Sequence, residues 1–265
     1  MTPLPHPNLV CSQADLLLMS RELCAQSIVA VDTESNSMHA YRERVCLIQF
    51  SIPGQDYIVD PLALEDLVSL RPLFADAGIE KVFHAAEYDL ICLWRDFGWE
   101  VRNIFDTMVA ARALGWKHIG LAAILKEEFS ISVSKRYQRA DWGKRPLSDA
   151  QLDYAQVDTR YLLQLRERQE AELRGLGRLM EVREEFERIA RASRRISSEL
   201  SVDQQGADRF WRISGARKLS GRECAVLQEL YQYRDGVAKR KNKPPFRIMG
   251  DATLVALAQR CPRGK

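Results

Sequence analysis

Residues 27–34 read SIVAVDTE, a short run of β-branched apolar side chains that ends in acids. Such a run predicts a buried strand, and Asp32 and Glu34 stand at its end. Side chains at positions i and i+2 of a strand point to the same side, so the two carboxylates converge on one spot. Their repulsion would raise a pKa or destabilise the fold, and a divalent cation would remove that conflict. Since DTES also fits an N-terminal helix cap, this stretch alone leaves a cap, a turn and a metal site open.

Further strands are predicted after this run, at residues 44–51 (RVCLIQFS), 56–60 (DYIVD), 81–84 and 103–105. A turn at Pro53-Gly54 separates the first two of them, and helical patterns cover residues 63–74 and 87–97. The order of elements predicts an α/β fold, in which a mixed sheet is flanked by helices.

The helix with the clearest start signal follows Ser148, which forms an S-x-x-Q capping box with Gln151. Tyr154 and Asp158 lie four residues apart on this helix, so a phenol and a carboxylate share one face. The three- and four-residue spacing predicts an inward stripe made of Gln151, Ala155, Asp158, Leu162 and Leu165. Surface Tyr and Asp residues are common, but the stripe favours an Asp158 that faces the protein.

Asp89 lies in the segment 84–90 (HAAEYDL), directly after the predicted strand, in the first turn of a helix. The helix dipole favours an acid at that position, so Asp89 alone does not indicate a metal site. His84 is interpreted as a packed or hydrogen-bonded side chain, because a lone histidine at a strand end is more often that than a ligand.

The chain of 265 residues is 46% hydrophobic and 28% charged, an ordinary globular composition. Its net charge of +3 permits nucleic-acid binding without demonstrating it. The six cysteines contain no C-x-x-C pair and are interpreted as buried, reduced thiols, which fits a cytoplasmic location. We expect neither a signal peptide nor a membrane span, since no apolar run approaches about 20 residues.

Three parts are predicted along the chain: a domain over residues 1–195, a linker over 196–207 and a helical domain over 208–265. Residues 171–195 are rich in Glu and Arg, with i,i+4 pairs such as Glu184 and Arg188, and predict a solvated connecting helix. The Ser, Asp, Gln and Gly residues that follow are typical of a linker.

Three motifs resemble, in order and spacing, those of the DEDD superfamily of 3′-5′ exonucleases: residues 31–34 (VDTE), 84–89 (HAAEYD) and 154–158 (YAQVD). The tyrosine of the third motif is similar to that of the variant that includes ribonuclease D. The resemblance extends over about residues 10–170 and includes the blocks VCLIQ at 45–49, IVDPL at 58–62, FDT at 105–107, ADW at 140–142 and RPLS at 145–148.

The resemblance implies a ribonuclease H-like sheet and a 3′→5′ exoribonuclease that releases nucleoside 5′-monophosphates, in the processing of tRNA or other structured RNA. It also implies two divalent ions, Mg²⁺ or Mn²⁺, that stabilise the attacking and leaving oxygens. By motif match, Asp32 would bridge the ions, and Glu34 and Asp158 would complete the first site. Asp89 would hold the second ion, partly through water, and Tyr154 would orient the attacking water.

The sequence departs from the ribonuclease D pattern at Ser35, where many relatives carry an aromatic residue. Met38, His39 or Tyr41 could replace that residue in packing on the terminal nucleotide of a single-stranded RNA 3′ end. Asp106 also matches a family position and is interpreted as structural support.

Basic residues form two clusters that could contact phosphates. The tail resembles the HRDC domain, a nucleic-acid-binding family, and its candidate contacts are Lys239, Arg240, Lys241 and Lys243. Because further helices would be expected after residues 261–262, the domain over 208–265 is predicted to be incomplete. The second cluster consists of Lys135, Arg136 and Arg139, with Trp142 and Arg145 beside it in the sequence.

Two other functions stay open at this stage. A DNA exonuclease would use the same acids, because RNA and DNA are distinguished by contacts to the 2′-OH. An inactive exonuclease fold could bind nucleic acid, although all four acids and the tyrosine are present here. A Rossmann protein is disfavoured, because no G-x-G-x-x-G follows the first strand. The residues do not indicate an oligomeric state.

Overall fold

The computed structural model describes residues 5–202 and 207–261. The chain divides into two compact units, one made of Met1–Ser35 with Val45–Glu199 and the other of Asn36–Arg44 with Leu200–Lys265. No helix within the described ranges is long and apolar enough to cross a membrane.

A six-stranded mixed sheet forms the centre of the first unit, in the order β1-β4-β3-β2-β5-β6. β3 runs antiparallel to β2 and β4, whereas the β1–β4, β2–β5 and β5–β6 pairs are parallel. The strands are β1 (Asn8–Val10), β2 (Ile28–Ser35), β3 (Val45–Ile52), β4 (Gln55–Val59), β5 (Glu80–Phe83) and β6 (Ile104–Asp106). The predicted mixed sheet is confirmed. The sequence did not predict β1, since a three-residue strand with two exposed positions carries no alternation.

Helices flank this sheet and make up the second unit. Those that begin in the first unit are α1 (Gln13–Cys24), α2 (Arg71–Ala75), α3 (Glu87–Phe97), α4 (Thr107–Ala113), α5 (Leu121–Phe129), α6 (Asp149–Arg160), α7 (Leu162–Gly175) and α8 (Leu179–Val202). The second unit contains α9 (Gly221–Lys241), α10 (Pro245–Ile248) and α11 (Asp251–Arg260). α9 and α11 are tied by Arg234, whose Nη1 donates to Asp251 Oδ1 at 2.6 Å.

Two predicted helices differ from the structure. The helix over 63–74 is wrong in its first half, where the Asp66 carboxylate accepts the N–H of Val68 at 3.0 Å in a turn and α2 begins only at Arg71. The helix after Ser148 has its predicted capping box. It ends at Arg160, however, and α7 starts anew at Leu162.

The predicted connecting helix over 171–195 is interrupted where Gly177 adopts a left-handed φ of 68°, between α7 and α8. The prediction of a solvated helix is wrong for one face of α8, because Val182 and Phe186 are buried in the core of the first unit. Arg188 pairs with Glu185 at 2.5 Å, three residues away, rather than with Glu184.

The predicted linker begins inside α8, which continues to Val202. Its residues 203–206 lie outside the described residues, so the domain limits of 1–195, 196–207 and 208–265 stay predictions. None of the six cysteines forms a disulfide, and only Cys46 and Cys92 are buried, whereas Cys11 and Cys24 are exposed. The prediction of buried thiols is therefore wrong for the latter two, of which Cys11 precedes α1 and Cys24 is its last residue.

Candidate active site

Three carboxylates from two elements meet on one side of the sheet. Asp32 and Glu34 come from β2, just before a register shift against β3, and Asp158 comes from α6. One carboxylate oxygen from each of them lies within 4.8 Å of the others. Acids that are 124 to 126 positions apart in the chain are thereby brought together, as the motif order implied.

Asp89 stands beside this group from the first turn of α3 and is 6% exposed. Its Oδ1 accepts a hydrogen bond of 2.5 Å from the Thr33 hydroxyl, which lies between the two acids of β2. The carboxylate of Asp89 also raises the pKa values of Asp32, Glu34 and Asp158, as expected for a neighbouring negative charge.

The turn before α3 places Asp89. Ala85 adopts a left-handed φ of 65°, a conformation that costs a non-glycine residue about 1 kcal/mol or more. The buried carboxylate of Asp106 holds this turn, accepting the N–H groups of Ala85 at 3.1 Å and Ala86 at 2.8 Å. The same carboxylate caps α4 through the N–H groups of Met108 at 2.9 Å and Val109 at 3.1 Å. These four bonds agree with the interpretation of Asp106 as structural support.

α6 is held against the sheet by contacts at both of its ends. Near its start, the Arg145 guanidinium binds both carboxylate oxygens of Asp60, at 2.5 and 2.6 Å. Near its end, the Ser51 hydroxyl of β3 donates to Thr159 Oγ1 at 2.7 Å. Because one contact reaches the end of β4 and the other reaches β3, the sheet helps to determine the position of Asp158 relative to β2.

Tyr154 lies one helical turn before Asp158 and packs between two aromatic side chains. Its ring centroid is 6.0 Å from that of Trp142 and 6.0 Å from that of Tyr137. Burial, followed by the charges of Asp158, Glu34 and Asp32, raises the pKa of the Tyr154 phenol. The phenol therefore keeps its proton at neutral pH and is able to donate a hydrogen bond beside the acids.

Burial raises the pKa of every acid in the group. With the added repulsion of Asp158 and Asp89, it raises the pKa of Glu34 to about 9. The pKa values of Asp89 and Asp158 rise to about 7, mainly by burial, and the pKa of Asp32 is raised well above its ordinary value. A divalent cation prefers carboxylate oxygens and would remove both the repulsion and the desolvation penalty. The donor set thus fits a divalent metal ion.

The metal-free protein should lose stability as the pH rises through neutrality. The acids have pKa values of about 4 in an unfolded chain, and folding raises those of Asp89 and Asp158 to about 7 and that of Glu34 to about 9. The stabilisation that these acids provide is therefore fully present below a pH of about 4. It is lost as the pH rises through their pKa values in the folded protein. Thermal unfolding in chelator should show a Tm that falls from pH 5.5 to pH 9, roughly the interval of those pKa values. In Asp32→Asn the fall should be shallower, and a Tm that rises over this interval in the wild-type protein would contradict the electrostatic interpretation.

His84 is partly buried and lies within hydrogen-bond distance of a neighbour, in agreement with its interpretation as a packed or hydrogen-bonded residue. Its Nδ1 lies 2.9 Å from Thr107 Oγ1, and burial lowers its pKa to about 4. His84 is therefore neutral at physiological pH. Sequence reasoning did not single out Thr33 or Tyr137, because each acts through a contact that the linear sequence does not display.

One of the predicted nucleic-acid contacts is wrong, whereas Arg145 stays a prediction, since it is exposed but pairs within the protein. Trp142 is 1% exposed and packs with Leu47, Ile58 and Ala155, so it offers no face to a base. The guanidinium of Arg145 is occupied by Asp60 and by main-chain oxygens, including that of Cys46 at 3.0 Å. Both side chains stabilise the segment that carries Tyr154 and Asp158.

The other predicted contacts lie on the surface or in the second unit. Lys135, Arg136 and Arg139 are exposed, and the Arg136 guanidinium lies 5.4 Å from the ring centroid of Tyr137, which itself contacts Tyr154. Met38 is 39% exposed, and His39 and Tyr41 are intermediate. Within the second unit, the Tyr41 hydroxyl donates to Asp235 at 2.7 Å. The basic side chains at and after the end of α9 are exposed, namely Lys239, Arg240, Lys241 and Lys243.

Comparison with known proteins gives two family matches. A model described as 3′-5′ exonuclease matches residues 8–174, and the HRDC domain model matches residues 223–265. A ribonuclease D from Jannaschia sp. (strain CCS1) is 32% identical over 97% of this chain and 66% of its own length. The chain thus spans just under two thirds of that relative.

Two solved structures share the fold. The catalytic core of RRP6 from Trypanosoma brucei has 28% identity and a TM-score of 0.76, over 100% of this chain and 75% of that one. NrnC from Brucella melitensis, in a structure with bound Mg²⁺, has 27% identity and a TM-score of 0.58, over 76% of this chain and 92% of that one.

Proposed function

Because this chain belongs to the 3′-5′ exonuclease family, we propose that it is an exoribonuclease that hydrolyses phosphodiester bonds from the 3′ end of single-stranded RNA and releases nucleoside 5′-monophosphates. The observation that carries the proposal is the meeting of Asp32, Glu34 and Asp158 within 4.8 Å, with Tyr154 one turn away. The similar ribonuclease D favours RNA as the substrate. We propose that this chain acts in the 3′-end processing of tRNA or other structured RNA.

The acids would hold two divalent ions, Mg²⁺ or Mn²⁺. Asp32, Glu34 and Asp158 are the ligands proposed for the first ion, and Asp89 together with Asp32 would hold the second. Ions of this kind lower the pKa of a bound water and neutralise charge on the leaving oxygen. The Mg²⁺ bound in the similar NrnC structure supports a divalent ion at this site. We propose two such ions, either Mg²⁺ or Mn²⁺.

The remaining groups orient the side chains of the site or bind the substrate. Thr33 keeps Asp89 turned toward the site through its 2.5 Å hydrogen bond. Trp142 and Tyr137 restrict the Tyr154 ring, so that its hydroxyl can hold an attacking water in one orientation. Lys135, Arg136 and Arg139 are exposed cations in the same unit, and we propose that they bind the phosphates of the approaching RNA.

Tyr154→Phe should lower kcat by on the order of 100-fold and change KM little, because the lost hydroxyl orients water without binding RNA. Single-turnover hydrolysis of a 3′-labelled RNA measures this directly. Tyr137→Phe is the matched control, since it keeps the ring contact to Tyr154 and removes a hydroxyl to which no catalytic role is given. Equal kcat values for wild type and Tyr154→Phe would refute the proposed role.

The direction and substrate class are tested with RNA and DNA oligonucleotides of matched sequence, labelled at the 3′ or the 5′ end. With Mg²⁺ or Mn²⁺, the 3′-labelled RNA should release labelled mononucleotide at once, whereas the 5′-labelled RNA should shorten stepwise. Chelator should stop both reactions. Faster loss of the DNA would instead favour a DNA exonuclease, and binding without hydrolysis under every metal condition would favour an inactive binding module.

The second unit contains the HRDC match, and we propose that its basic residues at the end of α9 add salt-sensitive, sequence-independent affinity for RNA. We also propose that the exonuclease domain covers residues 1–195 and the helical domain residues 208–265. Six cysteines without a disulfide among them support a reducing compartment, and we propose the cytoplasm as the place of action.

A further inference from the structure

Gln49, in the middle of β3, has a buried side chain whose hydrogen-bonding groups are unmatched. It is 0% exposed, and within the described parts of the chain neither its Oε1 nor its Nε2 has a hydrogen-bond partner. A buried amide that makes no hydrogen bond destabilises the folded state. Such a group needs an explanation, because nearly all buried polar groups are paired.

Other buried glutamines of this unit are bonded through their amide nitrogens. Gln156 Nε2 donates to Asp56 Oδ2 at 2.6 Å, and Gln169 Nε2 donates to the Thr107 carbonyl at 2.9 Å. Each of them leaves only its Oε1 without a partner, whereas Gln49 leaves both atoms. The unmatched donor is therefore particular to Gln49 among these three residues.

The register of the sheet places Gln49 directly opposite Asp32, the central acid of the proposed metal site. Side chains of directly paired residues lie on the same face, with Cβ atoms about 4.5–5.5 Å apart. A glutamine side chain spans that distance. Its Nε2 is a donor, and a metal-bound carboxylate needs donors that fix the orientation of its oxygens.

We infer that Gln49 is a positioning residue whose amide Nε2 donates to the Asp32 carboxylate when a divalent cation is bound. The inference rests on the proposed metal-dependent function. Gln49 Nε2 then gains the acceptor that it lacks, and the carboxylate gains a donor that fixes the orientation of its oxygens. Gln49 thus aligns the carboxylate without touching the substrate.

Gln49→Met tests the inference, because methionine keeps the length and volume of the side chain and removes the amide. Mn²⁺ affinity, measured by isothermal titration calorimetry, should weaken by about 10–100-fold, the usual effect of removing a hydrogen-bond partner of a metal ligand. The Tm of the metal-free variant should equal or exceed that of the wild type, since a desolvated amide has been removed.

Gln169→Met is the matched control, because it makes the same substitution at another buried glutamine of the first unit. Its Nε2 donates to the Thr107 carbonyl at 2.9 Å, so its loss should lower the Tm and leave Mn²⁺ affinity unchanged. If Gln49→Met shows this same pattern, a lower Tm with unchanged Mn²⁺ affinity, the role of Gln49 is purely structural and the inference is overturned. An unchanged affinity with a higher Tm would overturn it as well.

The titration separates this inference from the function on which it rests. A wild-type protein that fails to bind Mn²⁺ contradicts the proposed metal centre, whereas equal binding by wild type and Gln49→Met contradicts only the role of Gln49. Should Gln49→Met not fold, Gln49→Leu is measured in the same way. In wild-type protein labelled with ¹⁵N-glutamine, Mg²⁺ should shift a side-chain amide resonance, and a spectrum in which none moves would overturn the inference.

Discussion

Asp32→Asn should abolish RNA hydrolysis while the protein stays folded. Asp32 is the acid that the charges of Asp89, Asp158 and Glu34 all affect, and replacing it removes one negative ligand from the centre of the group. Loss of several kcal/mol of electrostatic stabilisation corresponds to a decrease in kcat on the order of 1,000-fold or more. Because the substitution also removes repulsion, the Tm of the metal-free protein should not fall.

The measurement pairs initial rates on 3′-labelled RNA, over a wide range of Mn²⁺ concentrations, with thermal unfolding in chelator. Asp153→Asn is the control, since Asp153 lies on the same helix as Asp158 but its side chain is 62% exposed. That variant should keep wild-type activity. Hydrolysis by Asp32→Asn at the wild-type rate in saturating Mn²⁺ would remove the basis of the proposed active site.

Asp106→Ala should cause the largest loss of stability predicted for this chain. Its buried carboxylate accepts four N–H groups, two from the strained turn at Ala85 and Ala86 and two from the start of α4. Leaving these donors without an acceptor should cost about 3 kcal/mol or more. The turn that carries Asp89 would also relax, so activity should fall in the fraction that remains folded.

Urea unfolding, followed by far-UV circular dichroism, measures the free-energy change, and Mn²⁺ titration of the folded fraction reports on Asp89. Asp76→Ala is the control, because the exposed Asp76 carboxylate accepts a single N–H, that of Gly78 at 2.7 Å. We expect this control to cost about 1 kcal/mol or less. A similar, small effect of Asp106→Ala would show that the turn is held by other contacts.

The sheet and the helix starts followed from local signals. β2 and β3 are apolar runs bounded by turns, and α6 begins at the capping box of Ser148 with Gln151. Signals of this kind act within a few residues, so the sequence displays them. The prediction of a helix over 63–74 was partly wrong because a second local signal acts there. The Asp66 carboxylate forms a turn in the first half of the segment, where the apolar spacing indicated a helix.

By itself, the sequence indicated which acids and which tyrosine make up the candidate site, because its three motifs resemble those of the exonuclease superfamily in an order and spacing that do not depend on packing. Only the tertiary structure decided which nearby side chains face it. Trp142 turned out to be covered, Arg145 to be bound by Asp60, and Gln49 to lie opposite Asp32 without a partner. The physical reason is that burial and pairing depend on segments far away in the chain, whose approach no local pattern records.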